Sequence, residues 1–305
     1  MDLETIETNY ALRPFEGGID GSLTEHIACW HGVDPAQIVL GRGSLEVLRA
    51  LMPAIAYRAG KSPSDVAIGM EVTEFDGYDA FVPNRVRWSG NRFEPLPGGV
   101  DAVVVSNPAN PSGVHDVFVG ALVHGAAGSG QLVIVDEAYI EFSGQASLVP
   151  RVQQDSNLIV LRTFSKLYGL VDEKVGYAVV PASLANQADV LPPSPQAQER
   201  AHHLHLSQDG FAAVRDVRDR RSILEEMLRT YLPVEMERSH APFVLARPRG
   251  RLDLGGFLSD IAVRVKNVSK PDGWPRPWSF GECRIAVPSY AGLEELGRRL
   301  YDANR

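Results

Sequence analysis

The chain has 305 residues, 44% hydrophobic and 22% charged, with 30 Lys and Arg against 38 Asp and Glu for a formal charge of −8. These are the proportions of a globular chain of one large domain, or of a large and a small one. They exclude collagen, coiled coil and wholesale disorder, and the acidic balance has the wrong sign for a nucleic-acid-binding surface.

Charge, Gly or Pro interrupts every apolar stretch before the ~20 residues of a spanning helix. The acidic start MDLETIETNY does not read as a signal peptide, and Cys29 and Cys283 are too few for a disulfide framework. A cytoplasmic protein with no membrane or nucleic-acid partner is therefore expected.

In chain order, Gly41-Arg42-Gly43-Ser44-Leu45-Glu46 ahead of the apolar stretch 47–55 reads as a glycine turn opening a helix. Free backbone N–H groups and the positive helix end suit an anion there. Short β-branched runs at 66–70, 102–105, 132–135, 158–161 and 175–180 read as buried strands, nearly continuous in hydrophobicity as parallel strands are. Stretches between several of them, such as 117–126, are long enough for crossover helices, so the fold class is α/β. In such sheets ligands bind beyond the carboxyl ends of the strands, and the polar residues there carry the functional information.

After Val180 the character changes. Residues 181–195 are a connector rich in Pro, Ala and Ser, and 196–231 is a long helical region whose charged block from Arg215 to Arg221 reads as a solvated helix face. Short strands return at 243–246, 261–265 and 284–287, followed by a helix at 291–303, the pattern of a smaller α+β domain. There is no internal repeat.

Three strand ends carry polar groups. The first is Ser106-Asn107-Pro108-Ala109-Asn110-Pro111-Ser112-Gly113, a rigid turn by backbone chemistry alone. The second is Asp136-Glu137-Ala138-Tyr139, whose acid serves a helix cap as readily as a ligand. The third is Arg162-Thr163-Phe164-Ser165-Lys166-Leu167-Tyr168-Gly169, a lysine among hydroxyls. Together they supply a lysine for a Schiff base, an acid for a pyridinium nitrogen, donors for a phenolic oxygen, and hydroxyls and amides for a phosphate. Those are the requirements of pyridoxal phosphate.

On these motifs the chain, over roughly 23–305, resembles the fold-type I pyridoxal-phosphate enzymes of the aspartate aminotransferase superfamily, within them the histidinol-phosphate aminotransferase branch. The resemblance implies the PLP-dependent transferase fold, a mostly parallel central sheet flanked by helices. It divides the chain into a shortened N-terminal arm at 1–22, a large cofactor-binding domain at 23–195, and a connecting helix with a small C-terminal domain at 196–305.

Residue by residue, the resemblance implies an internal aldimine on Lys166, Asp136 beside the pyridine nitrogen, Asn110 and Tyr139 on the ring oxygen, and Phe75 stacked on the ring. Ser44, the Leu45 amide, Thr163 and Ser165 match the phosphate cup. Arg284, in Cys283-Arg284-Ile285-Ala286-Val287, matches the arginine that grips the substrate carboxylate, with Asn110 and Tyr10 also on the substrate side. Lys174 stands where the family has an arginine, Pro242 where an asparagine is common, and Phe15 near the place of a tyrosine from the neighbouring subunit.

The implied activity is an aminotransferase acting on an amino acid or related amine, in which Lys166 moves a proton between the substrate Cα and the cofactor carbon C4′ to give a ketimine. A decarboxylase or β-eliminating lyase similar to threonine-phosphate decarboxylase shares every motif, and a non-catalytic binding module that retains the fold is a further alternative. Amino-acid and keto-acid substrates and a homodimer with sites at the interface are implied as well. His202, His203 and His205 lack an acidic partner spaced to complete a metal site, so no metal is expected. Trp274 and Trp278, among prolines, read as a substrate-side loop or an ordinary packed one.

Overall fold

The computed structural model describes residues 21–88, 96–206, 209–263, 265–267 and 281–305. The apolar runs become strands: β1 (Ile38–Gly41), β2 (Ala67–Glu71), β3 (Asn84–Trp88), β4 (Ala102–Ser106), β5 (Leu132–Asp136), β6 (Leu158–Thr163) and β7 (Gly176–Val179). They form a seven-stranded sheet in the order β1-β7-β6-β5-β4-β2-β3. From β3 through β6 neighbouring strands are parallel.

Successive side chains of the central strands feed two cores, which is why these strands are apolar on both faces. Val103, Val105, Val133, Val135 and Val160 enter one core with α1 (Leu23–His31), α4 (Val119–Ala127) and α6 (Pro195–Leu206). Val104, Ile134 and Ile159 enter the other, with α2 (Ser44–Ala50) and α3 (Met52–Ala59). A capping box opens α1: Ser22 Oγ accepts from Glu25 N at 3.2 Å and Glu25 Oε2 accepts from Ser22 N at 2.7 Å.

Two strand expectations need correction. Residues 175–180, read as a further parallel strand, supply β7, which runs antiparallel to both β6 and β1. The chain between Thr163 and Gly176 is spent on turns around Lys166 and contains no crossover helix, so it folds straight back. The described residues of 261–265 form a turn rather than a strand. Ala262 takes a left-handed φ of 57°, and Val263 N donates to Leu258 O at 2.7 Å, closing off α8 (Leu254–Asp260).

A second sheet, in the order β10-β11-β9-β8, is antiparallel throughout. It comprises β8 (Val234–Met236), β9 (Phe243–Pro248), β10 (Lys266–Asn267) and β11 (Cys283–Ala286). Leucines of α7 (Asp209–Tyr231), α8 and α9 (Tyr290–Ala303) complete its core. Helix α7 serves both halves, since Ala213 and Val217 pack with Tyr139, Phe142 and Leu167 while Leu224 and Leu228 join the second core.

Its charged block is therefore solvated only in part: Arg215 and Asp219 are exposed, while three arginines reach main-chain carbonyls. Arg220 is 2% exposed and donates to Pro288 O at 2.6 Å, Arg218 Nε donates to Phe142 O at 2.9 Å, and Arg221 Nη1 donates to Ala241 O at 2.8 Å. Among the described residues no helix is long and apolar enough to cross a membrane.

Candidate functional site

At the carboxyl ends of β4, β5 and β6 lies a cleft of about 310 Å³. Ser44, Leu45, Phe75, Asn110, Asp136, Tyr139, Thr163, Ser165, Lys166 and Lys174 all line it. The sheet does this: register pairs Ser106 of β4 with Asp136 of β5, so the two turns that follow begin side by side, and Asn107 N donates to Asp136 O at 2.8 Å.

Asp136 forms the buried acidic end. Its Oδ2 accepts from Tyr78 OH at 2.8 Å and its Oδ1 from Ala138 N at 2.9 Å. Burial pushes its pKa up to about 6, against the lowering pull of those two bonds and of the Lys166 charge. The Lys166 ammonium lies over the Tyr139 ring at 5.4 Å from its centroid, and that ring meets Phe243 edge-on at 5.1 Å. Arg284 connects the second sheet to the cleft: its guanidinium lies over Phe243 at 4.7 Å, and Nη1 donates to Asn110 Oδ1 at 3.3 Å.

The opposite end is built for an anion. Gly43, with φ 85°, turns the chain into α2 without a side-chain cap, and the first N–H groups of the helix are the ones every helix start leaves without an internal partner. A Cβ on Gly176 would stand 2.5 Å from Ser44 N, so only glycine lets β7 run this close beneath the turn. Lys174 and Arg42 line the same end. Thr163 Oγ1 donates to Val175 O at 3.3 Å and accepts from Ser165 N at 3.1 Å, while Ser165 Oγ donates to Leu170 O at 3.2 Å. Both hydroxyl hydrogens are thus directed to main-chain carbonyls and rotate to reach an anion.

The model of the aminotransferase class I and II family matches residues 91–232. A histidinol-phosphate aminotransferase of Chlorobium luteolum is 33% identical over 213 residues, covering 67% of this chain and 56% of that protein. Another, from Caldanaerobacter subterraneus, is 28% identical over 288 residues, 88% of this chain and 78% of that protein. Over these stretches the chain is similar to class I and II aminotransferases. It spans little more than half the length of the first of these relatives.

Solved structures of the same fold include a decarboxylase from Sulfurospirillum multivorans, with a TM-score of 0.75 at 19% identity over 93% of this chain and 86% of that one. The histidinol-phosphate aminotransferase from Sinorhizobium meliloti, in complex with pyridoxal-5'-phosphate, gives 0.71 at 18% identity over 93% and 80%. At these identities the likeness is one of fold.

Three residues at or beside the cleft were given no role by the sequence motifs. Tyr78 holds Asp136, Glu74 holds Ser106, and Arg42 joins the anion end. Tyr78 follows Phe75 within one short turn, and the two rings meet edge-on at 5.3 Å, a spacing that would have been the signal. Tyr10, Phe15, Trp274 and Trp278 lie outside the described residues. His202 and His205 pack with His26, whose Nε2 lies 2.9 Å from His205 Nδ1. Among the described residues no group of three or more His, Cys, Asp or Glu is arranged to hold a metal ion.

Proposed function

We propose that the chain binds pyridoxal phosphate at Lys166 and is an aminotransferase for an amino acid or related amine. The observation that carries this reading is the shared cleft: one lysine amine, one buried acid and one uncapped helix start line the same 310 Å³. The donor set fits the group. A carboxylate with a raised pKa, buried and in need of a positive partner, suits a ring nitrogen that carries a proton. Ser44, the Leu45 amide, Thr163, Ser165 and the cations Arg42 and Lys174 suit a phosphate.

When bound, the group supplies a carbonyl that condenses with amines and a ring that draws electrons from the substrate Cα. The chain's own residues do the rest. Asp136 would hold the proton on the ring nitrogen, Tyr139 and Asn110 would donate to the ring oxygen, and Phe75 would lie against the ring. Lys166 Nζ takes the proton from the substrate Cα and hands it on, a role that needs a free amine and hence a neutral lysine. Arg284 offers a planar fork to the substrate carboxylate. The homodimer that the resemblance implies is part of the same reading.

Borohydride reduction of the loaded protein, followed by peptide mass mapping, tests the anchoring lysine. The expected result is one reduced adduct, on Lys166, absent from Lys166→Ala. Loading without any adduct on that residue contradicts the reading and favours a non-catalytic binding module.

A further inference from the structure

A second buried carboxylate lies beside the cleft, bonded to two residues that line it. Glu74 is 6% exposed and accepts from Ser106 N at 2.9 Å, from the Ser106 hydroxyl and from Phe75 N at 3.0 Å. All three partners are donors, and an ionised carboxylate is the side chain that only accepts. An amide in its place turns an N–H against one of them. Among the described residues no Lys or Arg pairs with this carboxylate; Arg87, which pairs with Asp79, meets Glu74 at its main-chain carbonyl, at 3.3 Å. A charge held by dipoles alone is costly to bury, which argues for a role.

The bonds continue outward. Ser106 Oγ, having donated its hydrogen to Glu74, accepts from Asn110 N at 3.0 Å, and Asn110 Oδ1 accepts from Arg284 Nη1 at 3.3 Å. Four residues on β2's following loop, β4, its turn and β11 thus form one directed chain.

We propose that Glu74 is a positioning residue: through Ser106 it fixes the Asn110 turn against Arg284, and so presets the pair that receives the substrate carboxylate. The inference rests on the aminotransferase reading of the site. Its negative charge also pushes the neighbouring Asp136 and Tyr78 pKa values upward, so it lies close enough to be felt at the acidic end of the cleft.

The test compares cofactor-loaded wild type, Glu74→Gln, Arg284→Lys and the double variant. Two readouts are used: the Kd for propionate, an unreactive carboxylate, followed by the cofactor's visible absorbance, and the split between KM and kcat for an amino-acid donor. In Glu74→Gln the Kd and KM are expected to rise about tenfold, as one unsatisfied buried donor implies, with kcat and cofactor retention changing far less. The double variant is expected to bind no worse than Arg284→Lys, because both changes break one chain of contacts.

Unchanged Kd and KM in Glu74→Gln, or fully additive losses in the double variant, overturn the proposal. If Glu74→Gln does not fold, Ser106→Ala cuts the same link and is expected to give the same rise; wild-type affinity there also overturns it. A wild-type protein that turns over no amino acid defeats the underlying reading instead, and the propionate titration still reports on the Glu74 link.

Discussion

Asp136 carries the main electrostatic cost of the site. Its pKa lies near 6 in the folded chain against an ordinary 3.8. Between those values the folded chain keeps a proton that the unfolded chain has released, so stability falls as pH rises through this window. Above about pH 6 the full cost remains, roughly 3 kcal/mol for about two units at 1.4 each. In the cofactor-free protein, Asp136→Asn is expected to flatten the pH dependence of the denaturant midpoint between about pH 4 and 6 and to raise the midpoint at pH 7.5. Parallel wild-type and variant curves would contradict this. A bound positive ring nitrogen offsets the same cost, which is how a destabilising acid becomes a binding group. Lys166, Asp136 and Asn110 are legible in the sequence because each follows an apolar strand within a recognisable motif. Glu74 and Tyr78 are not, because their importance lies in hydrogen bonds to strands far along the chain.

At the scale of elements, the anion end depends on the contact between β7 and the start of α2. Register pairs Gly41 with Gly176, and the antiparallel return of β7 brings Gly176 under the Gly43–Ser44 peptide. Gly176→Ala is expected to lower stability by roughly 1–3 kcal/mol, because the new methyl group overlaps main chain that cannot give way. It is also expected to loosen the cofactor, measured as release during gel filtration. A variant with the wild-type midpoint and full retention would show that the turn is not held by β7. The direction of β7 escaped the sequence pattern because an apolar run reports burial on both faces and says nothing of polarity. Ile261 and Val263 misled for a related reason: a turn that buries two side chains has the same alternation as a short strand. The arginines of α7 show the converse, since charged residues with carbonyl partners at 2.6–2.9 Å serve as struts between the two halves.

Across the whole molecule, a chain with a net charge of −8 gathers Arg42, Lys174 and Lys166 around one cleft, with Arg284 bonded to Asn110 in its wall. The overall sign of a protein therefore does not set the sign of its site. The α/β sheet and the gathering of these residues at one cleft were readable because parallel strands mark their own ends. The link of the second sheet to the cleft through Arg284 was anticipated by the resemblance, but the bridging by α7 was not, because it arises only when both cores are folded. The central claim is that these residues transfer an amino group, and absorbance of the cofactor-loaded protein during a half-reaction tests it most directly. With an amino-acid donor from a panel, the visible band is expected to disappear as aminated cofactor and an equimolar keto acid form, and Lys166→Ala is expected not to respond. Release of CO2 or ammonia with no aminated cofactor would contradict transamination and assign a decarboxylase or lyase instead.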